Sequence, residues 1–311
     1  MARNEENGKV GNLLVIIGPT AVGKTELSIS IARDFNGEIV SADSRLFYKG
    51  MDIGTAKPTI AERTAIPHHL IDICRPDQTL TLGEYQRLAY RTIEEIQDRG
   101  RLPILAGGTG QYVMAVIEGW GIPEISPHPK LRRQLELLGP EELAHWLRVL
   151  DPLAADRIDP RNIRRVVRAL EVTLVSGRPI SELQEKNPVP YNILVIGLYR
   201  HRKSLYERID NRVDRMISNG LVQEVARLRN QGYYGQLPSM SGLGYRQVLA
   251  YLRGEKSLDE AVDRIKFETH RFARQQDTWF RQDDPRITWF DLQAKNQLEN
   301  IYTQITNWLS S

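Results

Sequence analysis

The feature that most limits this chain lies near its start, where the purely apolar run Leu13-Leu-Val-Ile-Ile17 stops abruptly at a glycine. A short continuous apolar run reads as a strand buried on both faces, which is the habit of a parallel sheet. It leads straight into Gly18-Pro19-Thr20-Ala21-Val22-Gly23-Lys24-Thr25. Two glycines separated by four residues and followed by Lys-Thr make the phosphate-loop pattern. The glycines let the backbone turn so that its N–H groups face phosphate oxygens, and the following helix adds its positive N-terminus. Lys24 supplies a point charge beside the terminal phosphate, and Thr25 a hydroxyl for Mg2+. The motif predicts binding of a diphosphate or triphosphate and leaves the reaction open.

More of the same architecture follows. Glu38–Ala42, Leu102–Ala106 and Ile193–Leu198 read as further strands, and residues 24–33 and 84–99 as helices. This alternation predicts an α/β fold, a P-loop NTPase-like parallel sheet flanked by helices. Gly/Pro-rich breaks at 119–129 and 177–190 bracket a stretch, 130–176, that looks wholly helical. The expected organisation is a core of residues 10–119 and 193–311 interrupted by an all-helical insertion domain over 120–192. The C-terminal part of that core is predicted to be helical near 202–231, 241–253 and 258–281. The single cysteine, Cys74, excludes an internal disulfide and a Cys-based zinc site. The longest apolar run is too short to cross a membrane, and the polar N-terminus is unlike a signal peptide. A cytoplasmic protein acting as a monomer, with no membrane partner, is expected.

Two other places lie where ligands bind on a parallel sheet, at the carboxyl ends of strands. Gly107-Gly-Thr-Gly110 is a glycine-rich turn that makes Thr109 a candidate donor to the same phosphates. Asp43 stands where the apolar pair Ile39-Val40 gives out. It is either a strand-end carboxylate or a base or metal-water ligand facing the phosphate loop.

The residues after Asp43 are more specific. Asp43-Ser-Arg-Leu-Phe-Tyr-Lys-Gly-Met-Asp-Ile-Gly-Thr-Ala-Lys-Pro58 resembles the signature stretch of tRNA dimethylallyltransferases, which prenylate an adenosine beside the anticodon. Further matches are Pro67-His-His-Leu-Ile-Asp72, the Gly107–Gly110 turn, Arg168-Ala-Leu-Glu-Val172, Gly244-Tyr-Arg-Gln247 and the stretch from Arg274 to Arg281. The resemblance spans roughly residues 12–285. It implies transfer of a dimethylallyl group from dimethylallyl diphosphate to the exocyclic amine of adenosine, with Mg2+ and release of diphosphate. Asp43 then resembles the family's general base, Thr20 and Thr109 resemble groups on the prenyl diphosphate, and Arg212 resembles an arginine that steadies the leaving group. The chemistry is consistent, because an allylic carbon loses diphosphate readily once that charge is neutralised. A delocalised aromatic amine gains from a carboxylate that removes its proton during attack. Leu46, Phe47 and Gln111 depart from residues common in the family, which leaves base reading less secure than the chemistry.

The net charge is only +3, but its placement is uneven. Arg157, Arg161, Arg164, Arg165, Arg168 and Arg178 face only Asp159 and Glu171 in residues 157–178. Arg264, Lys266, Arg271, Arg274 and Arg281 face only Glu268 and Asp277, interleaved with Phe267, Phe272, Trp279 and Phe280. Such clusters suit an RNA backbone, and the target base must leave its stack to react. The resemblance assigns the tRNA anticodon stem-loop to Asp43, Ser44, Arg45 and Leu46, to Thr109 and Arg132, and to Arg164, Arg165, Val166, Val167 and Arg168. It adds Ser241, Gly242, Leu243, Gly244, Tyr245, Arg246 and Gln247, then Arg274, Trp279 and Arg281. An adenylate isopentenyltransferase would share the loop and Asp43 without needing a large basic insertion. The Gly50–Lys57 run argues against a phosphate-loop kinase for a small metabolite, and intact phosphate-loop chemistry beside Asp43 argues against a non-catalytic RNA-binding module. His68 and His69 read as structural or solvent-facing, and His128, His145, His201 and His270 are scattered, so no metal-ligand array is visible.

Overall fold

The computed structural model describes residues 11–311, and the polar N-terminal stretch read above as unlike a signal peptide lies outside them. Six parallel strands form one sheet: β1 (Gly11–Ile17), β2 (Gly37–Ser41), β3 (His68–His69), β4 (Leu102–Gly107), β5 (Tyr191–Tyr199) and β6 (Ile287–Asp291). Their spatial order is β3-β2-β4-β1-β5-β6. β1 lies between β4 and β5, with Leu14 opposite both Ile104 and Leu194. Buried on both faces and flanked on both edges, it needs apolar residues throughout, and Leu13 to Ile17 are all 0% exposed.

The helix Lys24–Asp34 turns Leu27, Ile31 and Ala32 onto this sheet. The helix Leu82–Asp98 buries Tyr85, Ala89, Ile93 and Ile96, and begins with a capping box in which Thr81 and Glu84 satisfy each other's backbone N–H groups. Truncating a side chain as enclosed as Ile16 to alanine costs about 2–5 kcal/mol.

The chain separates into two compact units, one running up to Val113 and resuming at Pro190–Ser311, the other Met114–Val189. The second holds the helices Pro129–Glu136, Pro140–Leu150, Pro152–Arg157, Ile163–Ser176 and Ile180–Leu183. Leu143, Leu147, Val166, Val167, Leu170 and Ile180 fill its core. Buried Glu171 holds it together from inside, accepting from Arg132 at 2.8 Å, Arg168 at 2.6 Å and the His128 N–H at 2.6 Å.

Several elements depart from the expectations. β3 has only two residues, both histidine, and is too short and polar to show a period. β6 and the helix Gln297–Ser310 occupy a C-terminal part read only as helices up to 281, and Ile301 and Ile305 of that helix pack into the sheet's core. The helical stretch 202–231 is two helices, Arg202–Ser218 and Leu221–Asn230, broken at Gly220 in a left-handed conformation (φ 99°).

Candidate active site

The phosphate loop starts where β1 ends, with Gly18 and Gly23 at φ 148° and 122°, a region closed to most side chains. Lys24 Nζ donates to the carbonyls of Gly18 and Pro19, both at 2.8 Å, so the loop closes over its own lysine. Other parts of the first unit fix the remaining peptide groups. The Arg208 and Arg200 Nε atoms donate to the carbonyls of Ala21 and Val22, each at 2.8 Å. Buried Gln276 accepts the Thr20 N–H at 2.8 Å and donates to the Gly108 carbonyl at 2.7 Å, fastening the loop to the second glycine turn.

That second turn braces the chain at Asp43. The Thr109 N–H donates to the Ala42 carbonyl at 3.3 Å, and Thr109 Oγ1 accepts the Ser44 N–H at 3.2 Å. Asp43 Oδ1 accepts the Arg45 N–H at 2.9 Å, which orients the carboxylate at the end of β2. Lys24, Asp43 and Arg212 act on one another electrostatically. Loss of hydration lowers Lys24 to about 8, with Asp43 opposing the shift and Arg212 adding to it. Burial also lowers Arg212, with Asp43 again opposing. Arg212 reaches the Thr55 carbonyl at 3.4 Å.

Two open cavities meet here, sharing Thr20, Asp43, Thr55, Gly108, Arg212, Phe272 and Gln276 in their walls. One, of about 620 Å³, holds the phosphate-loop residues Ala21, Gly23, Lys24 and Thr25, with Leu46, Lys57, Arg208 and Arg215. The other, of about 570 Å³, is lined by Ser44, Arg45, Thr109, Gln111, the stretch Ser241 to Arg246, Arg271 and Trp279. Thr25 and Asp43 both face the first cavity, offering a hydroxyl and a carboxylate. Among the described residues no group of three or more His, Cys, Asp or Glu is placed to hold a metal. Such a sparse, hard-oxygen donor set fits a small divalent ion that keeps waters and completes its shell with phosphate oxygens.

The remaining expected residues divide. Val22 and Pro19 are buried beneath the loop. Gln247 is buried, accepting the Gly244 N–H at 2.9 Å and donating to Glu268 at 2.8 Å, so its amide is spent within the fold. Arg274 donates to the Tyr206 hydroxyl at 2.7 Å, and Arg281 pairs with Asp283 at 2.7 Å on the surface. Within the helical unit, Arg164 and Arg165 are exposed. Val166 and Val167, at 1% and 3% exposed, place their side chains in the core, and Arg132 and Arg168, with side chains 36% and 32% exposed, pair with Glu171. The valines fall on the inner face of an amphipathic helix, and the two arginines neutralise a buried acid.

Sequence reasoning missed Gln276, Arg200, Arg208 and Arg215. Arg208, Arg212 and Arg215 follow helical spacing and so share one face, a signal the sequence carried. Gln276 gave none, because its partners are 256 and 168 residues away.

A parallel sheet whose first strand ends in a phosphate loop, with a carboxylate and an arginine in the wall between two cavities, defines an α/β protein built to hold a diphosphate group beside a second substrate. A family model described as IPP transferase matches residues 46–283. The chain is 50% identical over 297 residues to the tRNA dimethylallyltransferase of Thermomicrobium roseum, covering 94% of this chain and 90% of that protein. It is 51% identical over 303 residues to that of a Roseiflexus species, covering 96% and 99%. Among solved structures it is similar to the full-length tRNA isopentenylpyrophosphate transferase of Bacillus halodurans, with TM-score 0.72, 41% identity and coverage of 96% and 97%. It is also similar to a eukaryotic dimethylallyltransferase acting on tRNA, with TM-score 0.84, 28% identity and coverage of 96% and 79%. The chain belongs to the IPP transferase family.

Proposed function

We propose that this protein transfers a dimethylallyl group from dimethylallyl diphosphate to the N6 amine of the adenosine 3′ of the anticodon in tRNA, releasing diphosphate. The observation that carries this reading is the shared wall: Asp43 and Arg212 border both the cavity of the phosphate loop and the cavity lined by Ser241 to Arg246. Two substrates approaching from the two cavities would meet at these side chains.

The diphosphate lies on the loop, between Lys24 on one side and Arg208, Arg212 and Arg215 on the other. Mg2+, bound through Thr25 and diphosphate oxygens, would supply further neutralisation of the leaving group. As the allylic C–O bond breaks, Arg212 stabilises the charge gathering on diphosphate. The N6 nitrogen forms the new C–N bond, and Asp43 takes the proton that nitrogen loses. Thr109 keeps a hydroxyl proton to donate, since its oxygen already accepts from Ser44. The flipped base enters beside Trp279 and Phe272, whose rings are partly exposed in that cavity. Arg164 and Arg165 contribute contacts to the RNA backbone.

The test is to incubate the protein with labelled dimethylallyl diphosphate, Mg2+ and either total tRNA or AMP. Label in tRNA alone is the expected result. Label in AMP makes the protein an adenylate prenyltransferase; no label in either acceptor, with phosphoryl transfer in a parallel incubation with labelled ATP, makes it a kinase.

A further inference from the structure

We infer that Glu224 is a positioning residue for the transfer, joining the diphosphate side of the site to its RNA side; the inference rests on the function proposed above. Glu224 is only 5% exposed, on the helix Leu221–Asn230, and itself lines neither cavity. Its carboxylate nevertheless accepts four hydrogen bonds from two separate segments. Oε2 accepts the N–H groups of Asp52 at 2.9 Å and Ile53 at 2.8 Å. Oε1 accepts the Gly54 N–H at 3.1 Å and the Tyr245 hydroxyl at 2.7 Å.

Each segment leads to one side of the chemistry. Residues 52–54 run into Thr55, which borders both cavities and whose carbonyl receives Arg212. Tyr245 opens the helix Tyr245–Leu252 and follows Ser241–Gly244 in the wall of the RNA-side cavity. The two segments also touch: a Cβ on Gly54 would lie 2.6 Å from the Tyr245 ring, so only glycine admits that ring. Lys57 pins the far end of the loop, donating to the Tyr48 carbonyl at 2.8 Å and pairing with Asp52 and Asp72 at 2.6 Å. A loop clamped at both ends leaves Thr55 little freedom, so Arg212 is held where its guanidinium serves the leaving group.

The experiment compares wild type with Glu224→Gln, Tyr245→Phe and the double variant, measuring kcat, the KM for dimethylallyl diphosphate and thermal stability. A glutamine turns one acceptor oxygen into an amide donor facing backbone N–H groups, so the loop must shift. Misplacement of about an ångström lowers kcat about 100-fold. The KM for dimethylallyl diphosphate changes little, because Lys24 and the phosphate loop are untouched. Tyr245→Phe keeps the ring against Gly54 and loses only the hydroxyl, so it folds normally and lowers kcat less. The double variant is expected to match Glu224→Gln, because both changes act through one carboxylate. Wild-type kcat in Tyr245→Phe overturns the inference, as does a kcat loss in Glu224→Gln that only follows the folded fraction, or effects that multiply in the double variant. Absence of transfer to tRNA by the wild-type protein sinks the proposed function and the inference with it; normal wild-type transfer with any of those three outcomes sinks the inference alone.

Discussion

The charge state of Lys24 gives opposite pH dependences for affinity and for stability. Its ammonium spends two N–H groups on the carbonyls of Gly18 and Pro19 and loses much of its hydration, with a pKa lowered to about 8. A bound diphosphate restores the charge by direct attraction, so above pH 8 binding must take up a proton. At pH 9 a group with a pKa of 8 is charged in about one molecule in ten, so affinity falls about tenfold from pH 7, or about 1.4 kcal/mol. Phosphate-type groups complete their last ionisation near pH 6 and leave this window to the protein. The folded protein without substrate behaves the other way. Between about pH 8 and the lysine value of the unfolded chain, near 10.4, the unfolded state binds more protons, so the Lys24 contribution makes stability rise with pH. Equilibrium dialysis of labelled dimethylallyl diphosphate without RNA at pH 7, 8 and 9 measures the first effect. Lys24→Arg, always charged, should give a flat profile, and Lys24→Met a weak and flat one. Flat affinity in the wild-type protein across that range refutes the reasoning.

Asp43→Asn keeps the acceptor for the Arg45 N–H and is expected to bind both substrates while losing about 10²- to 10⁴-fold in single-turnover rate; a near-normal rate rules out a base. Gln276→Met leaves the Thr20 N–H and the Gly108 carbonyl without their partner, at about 1–3 kcal/mol for a lost buried hydrogen-bonding partner, and urea unfolding with unchanged stability would contradict the staple. Arg164→Gln and Arg165→Gln should each lower the salt dependence of tRNA affinity by about one unit of slope and leave dimethylallyl diphosphate binding alone; unchanged slopes remove these residues from the RNA surface. For Glu171, burial raises the pKa but Arg132, the His128 N–H and Arg168 outweigh it and bring it to about 2. The stability this supplies, about 3 kcal/mol, is complete above the unfolded value near 4.3 and drains as pH falls towards 2, so Glu171→Gln should flatten the acid limb of an unfolding titration.

What the sequence disclosed followed the range of the forces involved. The phosphate loop, β1, β2, β4, β5 and the helix Lys24–Asp34 are set by neighbouring residues: an apolar run, glycines at fixed spacing, a helical period. These were legible. β3 was not, since two histidines carry no pattern and pair with β2 only because β2 is already there. The site divides in the same way. Asp43 and Thr109 stand at strand ends that local pattern locates, whereas Gln276 acts through partners 256 and 168 residues away and Glu224 joins Tyr245, 21 residues on, to residues 52–54, which lie 170 to 172 residues before it. The Gly50–Lys57 run marked the family without showing why those residues recur. In the fold it is a clamped loop: buried Lys57 pairs with half-exposed Asp52 and with Asp72, and Gly54 makes room for Tyr245.

Counting arginines also overstated the field they produce. Arg132 and Arg168 share Glu171, and Arg246 and Arg264 share Glu268, so each group of three leaves a net charge of only +1. What matters for the chemistry is the asymmetry of the two cavities that share Asp43. One is walled by Lys24, Arg208, Arg212 and Arg215, a surface that lowers the energy of charge leaving as diphosphate. The other presents Met216, Leu243, Tyr245, Phe272 and Trp279 among its lining, surfaces suited to a planar base. A phosphate loop alone selects phosphate and is indifferent to what is done with it. Here the cations draw the leaving group one way while apolar rings receive the nucleophile from the other. The carboxylate in the wall they share borders both cavities, within reach of the amine that must lose a proton, and that arrangement favours alkyl transfer over phosphoryl transfer.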